Sequence, residues 1–176
     1  MQIEDAQAEI RRGYLDGALG VIVSGCVWLA TAITERQAGV GTAFTVLFFG
    51  GMFIFPVGLL IARGILKRPG ESAENPMGRL VLEGTIAMIA MLAAAWLFLD
   101  YRPDWVIPIA AAAVGTHYFA FRTAYGLKIY WLLAAIVTAI GCFAIFPEVI
   151  PSDMVAFGVA ATELIFGVFL AIRARG

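Results

Sequence analysis

Apolar segments long enough to cross a bilayer recur six times in this chain, at about 14–33, 40–63, 78–99, 105–122, 126–147 and 154–173. A hydrocarbon core about 30 Å thick takes about 20 helical residues. Within it the backbone must satisfy its own hydrogen bonds, which excludes isolated strands. The expected fold is therefore all-α, a polytopic transmembrane bundle of six helices over residues 14–176. Composition agrees: 61% of the residues are hydrophobic and 14% charged, too little polar surface to cover a water-soluble core. A net charge of −1 supplies no basic field for nucleic acid. No zinc, Walker or dinucleotide spacing appears, so neither cofactor nor metal is expected. Cys26 and Cys142 are too few for a disulfide framework and read as small buried apolar residues.

Punctuation between the spans is legible. Asn75-Pro76 supplies a cap and a first-turn proline for the third span, Asp104 is placed to cap the fourth, and Ser152 or Asp153 the sixth. Gly126 breaks the chain between spans four and five. The one sizeable connection, "KRPGESAENPM" at 67–77, is too short to fold alone. Before the first span, Ile3, Ala6, Ile10 and Tyr14 fall at helical spacing, which predicts a short amphipathic segment over 1–13 on the membrane surface. A cleaved leader fits less well, because the apolar run is long and carries Asp16 near its start.

Lysine and arginine set the orientation. With both termini on one side, that side receives Arg11, Arg12, Arg63, Lys67, Arg68, Arg79, Arg122, Lys128, Arg173 and Arg175, and the other only Arg36 and Arg102. The excess predicts cytoplasmic termini. Glu35, Asp100, Asp104, Glu148 and Asp153 fall opposite. Tyr101 and Trp105 at the outer surface, and Tyr125, Tyr130 and Trp131 at the inner, read as interfacial anchors.

Against this background a few polar residues stand out. Asp16 lies near the inner end of span one, Glu83 about one and a half turns into span three, and His117, the sole histidine, as far from the inner end of span four. Glu163 sits near the midplane of span six, with no cation within reach on its own helix. Pro56 in "GGMFIFP" should kink span two and free the Met52 carbonyl. Arg122 closes span four, and in an enzyme acting on a lipid-like substrate it would be an anion clamp. All lie between midplane and inner surface, and ionisable groups in hydrocarbon face a bundle interior or a wet cavity. The expectation is a polar pocket in the cytoplasmic half, bounded by His117, Glu83 and Glu163, with Tyr118, Thr116, Thr162 and Thr85 bonding across helices. Each has a plainer reading: Asp16 as a solvated helix-start acid, Glu83 paired with Arg79, His117 bonded to a neighbouring carbonyl. Small residues at four-residue spacing, such as Gly13/Gly17 and Ala135/Ala139, fit contacts within the chain or a homo-oligomer.

"LDG" at 15–17 and "LEG" at 82–84 hint at repeated hairpins, with "GLK" at 126–128 a degenerate third copy; an inverted three-plus-three repeat fits six spans equally. The succession "GYLDGALGVIVSGCVWL", "GGMFIFP", "ENPMGRLVLEG", "YRPDW" and "YGLKIYW" resembles an uncharacterised bacterial family of small six-helix integral membrane proteins. That resemblance implies the bacterial cytoplasmic (inner) membrane and one compact helical domain, and brings no activity or site residue. Three functions fit. A small transporter or channel for an ion or cationic solute would use Glu163 and Glu83 as its acids. A sensor or accessory subunit would bind a ligand or lipid headgroup. An enzyme acting on a lipid-like substrate would use His117 as base. The first explains the buried acids; the second explains best why they crowd one side.

Overall fold

The computed structural model describes residues 1–146 and 150–175. The end of the fifth predicted span at 147, and Glu148, lie outside the described residues. The architecture is all-α: α1 (Ile3–Tyr14), α2 (Ala18–Leu60), α3 (Pro76–Trp96), α4 (Pro103–Tyr125), α5 (Ile129–Ile145) and α6 (Ser152–Arg173). Among the described residues, three helical runs are long and apolar enough to cross a membrane: Ile3–Ile65, Pro76–Trp96 and Ser152–Arg173. α5 is equally apolar but shorter.

α2 runs for 43 residues and is broken at Gly39, whose φ of 81° and ψ of 170° leave the helical region. Only glycine takes such a backbone at no steric cost. The chain folds back there: a methyl group placed on Gly50 would lie 2.9 Å from Val27, and one on Gly58 would lie 3.8 Å from the Gly20 nitrogen. Residues before and after Gly39 therefore form two antiparallel limbs. Pro56, expected to kink the second limb, keeps helical dihedrals. It lies on an exposed face, and a π turn over Ile61–Ile65 follows.

The first limb of α2 and α6 form an antiparallel pair in a single register. Asp16 meets Arg173 at 2.7 Å, Gly167 packs on Ile22, Gly25 on Leu164, and Arg36 meets Asp153 at 2.6 Å. Twenty positions separate the ion pairs along each strand of this ladder, about 30 Å of helix, which equals the thickness of bilayer hydrocarbon. In each pair the arginine is about half exposed although the aspartate is largely covered. Ion pairs this open to water contribute little, about 1 kcal/mol, so their role is to fix register. α4 and α5 approach still more closely, through Gly115 against Thr138 and Gly141 against Ala112 and Pro108. α3 is the outlying helix and rests on α4, with Gly84 against His117 and Ala120. Phe53, Phe55, Leu60, Leu82, Ile86, Phe143, Ile165 and Ile172 are all exposed, a surface suited to acyl chains rather than water.

α1 roofs one end of this bundle. Ala6 and Ile10 are buried beneath it. Gln7 donates to the Thr123 carbonyl at 2.8 Å and Arg11 to the Tyr125 carbonyl at 2.7 Å, satisfying acceptors that the last turn of α4 leaves open. On the other side Asn75 donates to the Ala6 carbonyl and to Glu9, while its own oxygen accepts from the Met77 N–H as the cap of α3. Tyr125 and Tyr130, expected as interfacial anchors, are buried under this roof and stacked 5.4 Å apart; Tyr101 and Trp131 are exposed. Cys26, expected inside, is exposed. Asp104 pairs with Arg102 instead of capping α4, and Ser152 donates to Glu35.

Hydrogen bonds from Asn75 and Ser72 hold the Glu9 carboxyl below its ordinary value of 4.5. A depressed folded-state pKa stabilises docking above the unfolded value and loses that contribution as pH falls through the folded one. Amide exchange in α1 should therefore speed up on acidification below pH 4.5 more than in α5, and Glu9→Gln should flatten the difference. Equal pH responses in both helices would contradict this.

Candidate functional site

The turn between α1 and α2 organises the roofed end. Leu15, Asp16 and Gly17 have φ of 54°, 55° and 82°, three consecutive left-handed residues that reverse the chain in one step. "LEG" at 82–84, by contrast, is regular helix within α3, so the two matching triplets do not share a conformation. The turn carries Asp16 inward, where its carboxylate accepts from Arg173 and its carbonyl accepts from the Tyr130 hydroxyl at 2.7 Å. Asp16 is 7% exposed, a paired acid in a packed turn.

Beside it opens a cleft of about 290 Å³ lined by Ala8, Arg11, Arg12, Asp16, Arg68 and Ala174. The arginines come from α1 and from the segment after α2. As sequence, Arg11, Arg12 and Arg68 are only part of the charge count that sets orientation. What joins them is the reversal at 15–17, which lays α1 across the ends of the other helices.

Glu163 is fully buried. Its Oε1 accepts from the Tyr118 hydroxyl at 2.9 Å, and the Ser24 hydroxyl interacts with the same carboxyl; Oε2 has no hydrogen bond of normal geometry. Tyr118 belongs to the set expected to bond across helices, and it does. Thr85, Thr116 and Thr162 each bond a carbonyl of their own helix instead, an alternative open to any helical threonine.

His117 follows a different course. One position from Tyr118, it is turned about 100° around the helix and faces α3. Its ring lies edge-on to Phe121 at 4.7 Å and interacts with the Gly84 backbone on the neighbouring helix, although Nδ1 makes no hydrogen bond of normal geometry. It lines a groove of about 130 Å³ with Met88, Met91 and Thr116, in which Glu163 has no part. Glu83 is exposed on α3 and Arg122 is half-buried in the last turn of α4; neither is in a hydrogen bond or ion pair with a described residue. The polar residues thus divide among a core carboxyl, a lateral groove and an end cleft, with no common cavity among the described residues. His, Cys, Asp and Glu nowhere gather in threes among them.

Fold and sites together define a helical protein with several apolar helices of membrane length. The chain belongs to a family of unknown function, DUF7010, whose model matches residues 3–173. No curated protein and no solved structure matches it.

Proposed function

We propose that this chain is a six-crossing protein of the bacterial cytoplasmic membrane, with both termini and α1 on the cytoplasmic side, that binds an anionic ligand there as a sensor or accessory subunit. One observation carries the reading: an arginine-lined cleft of about 290 Å³ opens at the roofed end, whereas Glu163 is enclosed by its neighbours. The two limbs of α2, the 30 Å ladder and the basic residues massed at one end support the crossings and their direction.

Sidedness tests this directly. In a background without Cys26 and Cys142, a cysteine replacing Tyr101 should react with an impermeant maleimide in intact spheroplasts. One replacing Lys67 should react only after permeabilisation. The reverse pattern would put the cleft outside and end the reading.

Transport of an ion or small cation is the second reading, favoured by the unpaired Oε2 of Glu163 in the core. It requires proton or cation flux in proteoliposomes that Glu163→Gln alters without loss of expression. The ligand-binding reading expects the parent protein to match empty vesicles.

A further inference from the structure

Balancing the charges around the cleft leaves two guanidinium groups over. Asp16 is occupied by Arg173, Glu9 by Asn75 and Ser72, and Arg11 by the Tyr125 carbonyl. Arg12 and Arg68 are in no hydrogen bond or ion pair of their side chains with the described residues; Arg12 acts on Glu9, and Arg68 on Asp16, through space alone. The fold nevertheless brings both into one concavity with Arg11. Like charges gathered at a low-dielectric boundary repel, and a bound polyanion removes that cost.

We propose that the cleft is a binding site for a phosphate group, held by Arg12 and Arg68 with Arg11 as third donor. This rests on the reading of the roofed end as a ligand-binding face. Guanidinium forks match phosphate oxygens in pairs, and a phosphate has oxygens for more than one fork where a carboxylate serves one best. Small-molecule sites begin at about 300 Å³, so a cleft of about 290 Å³ suits a headgroup or a small phosphoester. Standing at one end of the 30 Å ladder, it is level with lipid headgroups and open to water. A phosphate there would bridge α1 to the segment after α2, adding to the Glu9, Ser72 and Asn75 contacts and the packing of Gly13 on the Pro69 carbonyl, and so fasten the roof.

The test uses the full chain in detergent, probed with phosphatidylglycerol, phosphatidylcholine and oleate by native mass spectrometry, and with inorganic phosphate and glycerol 3-phosphate by thermal shift. The expected result is at least about tenfold preference for phosphatidylglycerol over phosphatidylcholine and oleate, or a rise in melting midpoint with a soluble phosphate. Competition by soluble phosphate assigns the site to free phosphoesters; retention of lipid against it assigns the site to a headgroup. Arg12→Gln/Arg68→Gln should weaken either by about tenfold or more, without lowering the unliganded midpoint, because repulsion is relieved. Should that variant fail to fold, Arg12→Lys/Arg68→Lys keeps the charge, loses the fork and should bind less tightly than the parent. Undiminished binding in the variants, equal binding of oleate, or no response to any phosphate probe overturns the proposal. Labelling at Lys67 reports separately, so a cytoplasmic cleft that binds no phosphate sinks this inference alone, and an external one sinks the reading beneath it.

Discussion

Replacing Gly115 or Gly141 with alanine is expected to disrupt the bundle more than any other single methyl group added to it. A Cβ on Gly115 would stand 2.3 Å from the Thr138 nitrogen, and one on Gly141 would stand 2.5 Å from both the Ala112 nitrogen and the Pro108 oxygen. These are backbone atoms, which cannot rotate aside, so α4 and α5 would have to part by an ångström or more. Overpacking a core costs about 1–3 kcal/mol and sometimes more; here the upper end applies, because separating the helices also loosens Tyr118 and its bond to Glu163. Gly51→Ala is the control, since nothing lies within 4 Å of its new methyl group. Thermal unfolding monitored by size-exclusion chromatography should show both core variants losing the monodisperse peak at temperatures where parent and control keep it. Parent-like curves for either would mean that α4 and α5 do not pack at this distance.

Gly17→Ala should be nearly as damaging, for two separate reasons. At φ 82° a side chain costs about 1–2 kcal/mol in the left-handed region. The new methyl group would also fall 2.1 Å from the Tyr130 hydroxyl, expelling it from the Asp16 carbonyl and forfeiting about 1 kcal/mol of net hydrogen bonding. The reasons separate in a double-mutant cycle. In a Tyr130→Phe background the hydroxyl is already gone, so Gly17→Ala should cost less than in the parent while keeping the backbone share. Equal costs in both backgrounds would show that the Tyr130 contact is not made. Either way the reversal at 15–17 should weaken, and with it the cleft that depends on α1 lying across the bundle.

Particular residues show where sequence reading reached and where it stopped. The Asn75-Pro76 cap was legible because capping is local: the side chain serves an N–H two residues on. Glu163 was conspicuous because a carboxyl deep in an apolar run has no local remedy, and its remedy, Tyr118, lies 45 positions away on another helix. His117 and Tyr118 were read as neighbours and are so in the chain, but one helical step sends one to α3 and the other to α6. Pro56 carries a strong breaker signal, yet Gly39, which says less as a letter, is where α2 turns.

The amino-acid sequence by itself determined the helical class, the lengths of the apolar stretches and the gathering of basic residues toward certain loops. These follow from the backbone's need to bond itself where water is absent, and from local propensity. Only the tertiary structure decided that three left-handed residues fold α1 back over the bundle, that Arg12 and Arg68 line one cleft, and that the buried acid and the imidazole part company. Those outcomes depend on the rotation and register of whole helices, set by close contacts such as Gly167 on Ile22 and Gly115 on Thr138. A hydropathy pattern has the same form for every rotation that keeps apolar faces toward lipid, so it carries no information about which of them occurs.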